Sequence, residues 1–527
     1  RRAAEEAVAT LDFDRAAGLY RMALDLGDHG LEERRALRTR LGTALTNAGR
    51  PVEASQQFSL AAADSDASTA LELRRRAADA LLRGGYIDEG LAATRAILGE
   101  IGLSLAATPG QAIANVVARR AWLRVRGLGF RRRPLSTVTQ PELTRVDVCE
   151  GVAMGLVMVD TFRSMDYSAR FLHEALRLGE PWRVSRAFAL EADFLAVQAK
   201  TARAEALLGQ LEALTREFDT PLARTQLLTT RGMILFLCHN RWREALAVFH
   251  EAIAIYCAHE ASAGFELDTV NVFCCWALYY LGELAELGRR VPQLVSAAMR
   301  GGDRYAAVTC RTAFANVALM RDAPDEVDRE VEQALSSWSL QPGAFQMQHL
   351  FGLVSRCDAA IYRGEPAPAR ALVETARASL KRSMLDRAPS NALLLHSAIG
   401  RLAVAAGAQA PAGSAARRSA AAEARRHARG LLRSPAPAGR AATGLLLAGA
   451  CELDGDVDGA VAVLRRTLEA LERVDLHLYA HGARRRLGQL VGGDEGRALV
   501  ATADGALARQ GVAVPARLAA MIAPGVT

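Results

Sequence analysis

The segment that decides the fold is Leu41-Gly42-Thr43-Ala44-Leu45-Thr46-Asn47-Ala48-Gly49-Arg50-Pro51-Val52-Glu53-Ala54-Ser55-Gln56-Gln57-Phe58-Ser59-Leu60-Ala61. It reads as two helices around a tight turn. Gly49-Arg50-Pro51 stops the first helix and starts the second, because glycine tolerates the turn and proline suits a first helical position. Gly42 has no side chain, so the second helix can approach closely there. Ala54 is the small residue expected to face it. Phe58 and Ala61 follow one turn on, along the same apolar stripe.

The pattern recurs on both sides. Before it stand Phe13, Ala16, Tyr20 and Ala23. After it come Ala77-Ala78, Leu81, the turn Gly84-Gly85-Tyr86, and then Gly90, Thr94 and Ile97. A clear later copy is Arg241-Trp242-Arg243-Glu244-Ala245 with Phe249 and Ala252. Weaker copies turn at Gly282-Glu283, Asp322-Ala323-Pro324 and Arg363-Gly364-Glu365-Pro366, with anchors at Leu287, Val327 and Ala369. Near the end, Asp454-Gly455-Asp456 leads to Ala460 and Leu464, and Gly492-Gly493-Asp494 leads to Ala498.

Leu-Gly on one helix, then a turn, then Ala-x-x-x-Phe-x-x-Ala, resembles the tetratricopeptide repeat. The anchors are 36 to 42 residues apart, longer than the roughly 34 of the standard repeat, so longer helices and looser loops are expected. The expected fold is all-α, a tetratricopeptide-like helix-hairpin solenoid wound into a superhelix. An irregular array of another helical repeat class is the alternative. Repeats are expected over 1–100, 166–402 and 441–527, the last with a capping helix. Between them lie an irregular helical insert with an Arg-rich segment (101–165) and an Ala/Pro/Gly-rich irregular repeat or loop (403–440).

Composition agrees with helices. The 527 residues are rich in Ala and Leu, with 6% aromatics, and strand signals are nearly absent. This argues against disorder, collagen-like sequence and a disulfide scaffold. Of the 65 Lys and Arg residues only Lys200 and Lys381 are lysines, and neither follows a Gly-rich loop. A P-loop or a kinase strand lysine is therefore missing. The net charge of +7 is small for this length and does not suggest a nucleic-acid binder. Val270 to Gly282 is too short to span a bilayer, and Gln333 to Ser355 is too polar. Eight cysteines without a Cys-x-x-Cys pair read as buried free thiols in a reducing cytoplasm.

Candidate sites are few. Arg119, Arg120, Arg124, Arg126, Arg131, Arg132 and Arg133 cluster with Trp122 and Phe130 interleaved. Such a cluster suits an anionic partner, since arginine's fork fits phosphate and carboxylate alike. The competing reading is a solvated helix face. His477 and His481 have i, i+4 metal-ligand spacing but no supporting Glu or Cys frame. Cys238-His239 reads as a core thiol beside a histidine, and Cys274-Cys275-Trp276 with Tyr279-Tyr280 as a tightly packed inner helix. No catalytic set, cofactor or metal is expected. The residues that define the repeat are Gly42, Ala54, Phe58, Ala61, Ala16, Tyr20, Trp242, Ala245, Phe249 and Ala460.

Several stretches resemble one family of large bacterial proteins. They are Ala118-Arg119-Arg120 to Arg124-Val125-Arg126-Gly127, Leu156-Val157-Met158-Val159-Asp160, and Phe171-Leu172-His173-Glu174-Ala175-Leu176. The ending Arg485-Arg486-Leu487-Gly488, Gly493-Asp494-Glu495-Gly496-Arg497 and Ala523-Pro524-Gly525 also fits. The likeness is to the C-terminal half of multidomain serine/threonine protein kinases that carry an AAA/STAND ATPase module and a long tetratricopeptide-like tail. The resemblance implies that kinase and ATP-binding functions belong to a preceding part of a longer chain. The opening Arg1-Arg2-Ala3-Ala4-Glu5-Glu6-Ala7 reads as the inside of a helix, which fits a fragment. No catalytic residue carries over, because no Gly-rich loop, His-Arg-Asp, Asp-Phe-Gly or P-loop is present.

The expected function is a non-catalytic interaction and regulatory scaffold. The alternative is the effector-sensing arm of a STAND-type transcription regulator. An all-α enzyme is the remaining option. The expected partner is a protein or the parent's own N-terminal domains, with no membrane and no nucleic acid. The concave lining is expected from first helices, such as those holding Thr39 and Thr43, or Thr230 and Ile234. The Lys/Asn-rich groove that some tetratricopeptide proteins use for a C-terminal carboxylate is not recognisable.

Overall fold

A computed structural model describes residues 2–9, 12–157, 160–218, 220–259, 264–338 and 345–526. Arg1, Met158, Val159, Pro342 and Thr527, on which parts of the sequence reading fall, lie outside them. Among the described residues the secondary structure is helical from Arg2–Ala9 to Pro515–Ile522, with no strand. The fold is an all-α, tetratricopeptide-like solenoid of helix hairpins.

Local chemistry starts and stops these helices. Asp66 accepts hydrogen bonds from the Ser68 and Thr69 amides, and Asp160 from the Arg163 amide, as N-caps do. Proline opens the helices at Pro51, Pro181, Pro221 and Pro366. Gly364 and Gly455 close others in the left-handed conformation.

The hairpins interlock as the small residues predict. Leu31–Asn47 packs on Pro51–Ala63, and Pro221–Ile234 on Trp242–His259. Ala16, Ala54, Ala61, Ala245, Phe249 and Ala460 are wholly buried; Tyr20, Phe58 and Trp242 nearly so. One anchor is corrected. Ala498 is exposed, and the buried small residues of its helix are Gly496 and Ala503, of which Gly496 lies beside the turn. Gly496 touches Gly488 so closely that a Cβ there would meet the Gly488 carbonyl oxygen at 2.3 Å. Abundant alanine hid the true register.

The solenoid closes on itself, which the sequence did not reveal. The first turn runs from Leu31 to the helix Arg304–Ala313. There the Tyr305 amide donates to the Gly84 carbonyl at 3.2 Å. Gly85, at φ +82°, lies under the Trp338 ring, and Gly49 abuts Gly301. A second turn stacks on the first. The Ala438 amide donates to Asn240 Oδ1 at 2.8 Å, and Trp242 Nε1 donates to the Val474 carbonyl at 2.9 Å. The Ala513 amide donates to the Met320 carbonyl at 2.8 Å.

Aromatic side chains and the terminal helix pack inside the second turn. Trp276 packs against Phe314 and Phe351, at ring separations of 4.9 and 5.7 Å. The terminal helix Pro515–Ile522 lies against the inner helices Met347–Arg363 and His477–Val491. Buried Arg401 donates to Asp358 at 2.8 Å and to the Met521 carbonyl at 2.9 Å. The helical stretch Asn391–Ala408 is long and apolar enough to cross a membrane, but 78% of it is buried within this core.

The interval 101–165 departs from simple stacking. The helix Pro109–Arg126 packs across Thr161–Leu178, while Gln140–Gly155 continues the inner row beside Ala67–Arg83. The interval 403–440 is carried by Pro389–Ala408, Ala415–Leu432 and Pro437–Asp454, and these three pack in succession.

Candidate ligand cavity

The first turn encloses a cavity of about 680 Å³. Its wall is built from one face of each inner helix. Arg186, Ala189, Leu190 and Asp193 stand at i, i+3, i+4 and i+7 of one helix; Gln226, Thr229, Thr230 and Met233 repeat that spacing on the next. Thr43, Thr46 and Asn47 contribute from Leu31–Asn47, and Glu266 to Thr269 from the far side. Both first helices expected from sequence to line a concave surface, the one holding Thr39 and Thr43 and the one holding Thr230 and Ile234, do line the cavity, with Thr43 and Thr230 facing it. The rest of the site was missed. A polar stripe at helical spacing on each first helix was the signal available.

The volume lies in the 300–1,000 Å³ range of small-molecule and cofactor sites. The wall is mixed apolar and polar, and its charges are uneven. Arg75 is held bidentately by Glu72, with both contacts at 2.8 Å, and Arg76 reaches the same carboxylate at 3.1 Å. Arg186 pairs with Glu150. Asp193, two turns along the helix from Arg186, and Asp268 and Asp303 make no ion pair among the described residues. Burial pushes the Asp193 carboxyl up to about 7, against a hydrogen bond from Thr230 that lowers it. Burial also raises Asp268 well above the carboxylate range, and the charge of Asp303 adds to it. Asp303 is itself raised by burial and caps the helix Arg304–Ala313 through the Ala306 amide at 2.8 Å. Buried oxygens Asn47 Oδ1, Asp193 Oδ1 and Gln226 Oε1 have no hydrogen-bond donor among the described residues.

The arginine cluster is dispersed by the fold. Arg119 donates to Asp166 at 3.1 Å, and Asn115 shares that buried carboxylate. Arg120 donates to the buried Glu191 at 3.1 Å, Arg132 pairs with Glu217, and Arg133 donates to Glu142 at 3.0 Å. Arg126 caps its own helix end through the Gly127 and Gly129 carbonyls and lies over Trp122. Arg124 and Arg131 are exposed and make no ion pair among the described residues. The stretch around Phe171 serves packing too: Phe171, Leu172 and Ala175 are buried, and His173 rests on Trp122.

The other candidates separate. His239 meets Glu205 at 3.0 Å, while Cys238 points to the Ala196 carbonyl, so they do not face one another. His477 pairs with Asp475 at 3.3 Å. Burial first, then Arg484, holds His481 down at about 4. Cys274, Cys275, Trp276, Tyr279 and Tyr280 are core residues. Among the described residues no three His, Cys, Asp or Glu side chains converge as metal ligands would.

The chain matches no family model and no curated protein. Three of the solved structures that align with it illustrate the likeness. The Rap protein complexed with Competence and Sporulation Factor is 12% identical, covers 71% of this chain and all of its own, and gives a TM-score of 0.43. The yeast Tom70 structure is 11% identical, covering 97% of this chain and 95% of its own at a TM-score of 0.28. A circular tandem repeat protein with novel repeat topology is 13% identical, covering 96% and 98% at 0.12.

Proposed function

We propose that this chain is a non-catalytic binding scaffold whose first superhelical turn holds a short peptide segment of a partner protein. One contrast carries the reading. Among the described residues the second turn holds the chain's own terminal helix and aromatic side chains, whereas the first turn lines a half-open cavity of about 680 Å³ faced by polar stripes from successive inner helices. Stacked helix hairpins present concave surfaces of this kind to extended ligands. Buried oxygens without donors in the wall support a polar guest.

The wider setting is also a proposal. The Arg119–Gly127 and Phe171–Leu176 stretches support a place in the tail of a bacterial serine/threonine kinase–ATPase signalling protein. The sensing arm of a STAND-type regulator would use the same cavity for its effector. A cytoplasmic location is supported by the buried free thiols of Cys149, Cys274, Cys275, Cys310 and Cys357. Exposed Arg124 and Arg131 remain available to an acidic surface of the parent.

A random heptapeptide display library, selected against the full chain, tests the binding reading. Enriched peptides should bind the wild type and lose binding to Met154→Trp, which fills the cavity from the part-exposed face of Gln140–Gly155. Circular dichroism checks that the variant stays folded. Binders indifferent to Met154→Trp would contradict the proposal.

A further inference from the structure

We propose that the occupant of the first-turn cavity is a short basic peptide, whose guanidinium or ammonium group sits against Asp193 or against the Asp268–Asp303 pair. This rests on the binding reading above and specifies its chemistry.

The two turns of the superhelix differ in electrostatic character. In the second turn the guest is the chain's own C-terminal segment, and it is held by arginines. Arg401 donates to the Met521 carbonyl and Arg486 to the Val526 carbonyl. Asp358 and Glu452 balance those two cations. Glu452 also accepts from the Val526 amide at 3.0 Å, so the guest is held through backbone acceptors and a backbone donor balanced by paired charges.

The first turn has a different inventory. Its arginines are already committed to Glu72 and Glu150. The carboxylates Asp193, Asp268 and Asp303 have no cationic partner among the described residues, and two of them are close enough to share a hydrogen bond. Asn47 Oδ1, Asp193 Oδ1 and Gln226 Oε1 are buried acceptors without donors. Unpaired buried acceptors and like charges are costly unless a partner arrives. A cation with several N–H donors answers both deficits at once, and arginine or lysine provides it. The cavity volume of about 680 Å³ admits a short segment and excludes a folded domain.

The library selection is read for charge. Enriched heptapeptides should carry Arg or Lys at one fixed position. Replacing that arginine by citrulline should weaken binding about ten-fold or more, the factor expected for losing a charged hydrogen bond. Asp193→Asn and Asp268→Asn should each weaken the same peptide, whereas both variants should melt no lower than wild type because neither carboxyl holds an ion pair and burial already favours its neutral form. Loss of binding at undiminished stability separates ligand recognition from folding. Enriched peptides without a basic residue, or citrulline peptides that bind equally, would overturn the charge assignment and leave the cavity as the site. A selection yielding no binder sensitive to Met154→Trp would overturn the binding reading itself.

Discussion

The Phe58 ring lies flat on Gly42, so that a Cβ at position 42 would stand 2.8 Å from Phe58 Cε1. The same relationship recurs between Phe249 and Gly232, where the corresponding distance is 2.3 Å. In both hairpins an aromatic residue of the second helix occupies the space left by a missing side chain on the first. The contact defines the repeat physically: two residue types, on facing helices, one fitting into the absence of the other.

Gly42→Val tests this contact. Overpacking of this kind costs about 1–3 kcal/mol. Chemical denaturation should show the loss, and Gly42→Val combined with Phe58→Leu should recover part of it. Equal stability of Gly42→Val and wild type would contradict the close approach.

Ala245 tests the register of a later hairpin. It is wholly buried between helices, so Ala245→Trp should destabilise by on the order of 1–3 kcal/mol or more. A thermal transition indistinguishable from wild type would mean that position 245 faces elsewhere.

The arginine cluster should split by partner. Arg119→Met strands the Asp166 carboxylate, whose side chain is 1% exposed, and breaking such a pair costs about 3–5 kcal/mol. Arg131→Met, at an exposed position, should change stability by no more than about 0.5 kcal/mol. Urea titrations of the two variants give the comparison. Similar losses would argue against the buried Asp166 contact.

Asp193 predicts a pH dependence with an unusual sign. In the fold it keeps its proton up to about pH 7, whereas an unfolded-chain aspartate loses it at about 4. Across that window the folded state holds more protons, so the contribution of Asp193 to stability falls as pH rises. Asp193→Asn removes this slope. Its melting-temperature advantage over wild type should be greatest at pH 8 and should close only as the pH falls to about 4, the unfolded-chain value. An advantage that grows toward acid pH would contradict the assignment.

The sequence displayed local rules and concealed global ones. Ala16, Ala54 and Ala245 were legible because a small residue at helical spacing beside a turn has one structural use. The closure of the superhelix was not. Tyr305 meeting Gly84, and Trp242 meeting Val474, depend on accumulated rotation over more than two hundred residues rather than on any short pattern. The cavity was illegible for the same reason: Asp193, Asp268 and Asp303 lie on three separate segments. Adjacent arginines suggested a shared surface, but helix direction sends Arg119 to Asp166 and Arg132 to Glu217. At Ala498 the alanine-rich background offered several equivalent registers, and only packing against Gly488 selects Gly496.

The most direct measurement is a crystal structure of the full chain with a selected basic heptapeptide. The account predicts peptide density inside the first turn, with its guanidinium or ammonium group within hydrogen-bonding distance of Asp193 or Asp268. Peptide bound on the outer helices, with the first-turn cavity unchanged and empty of it, would contradict the account.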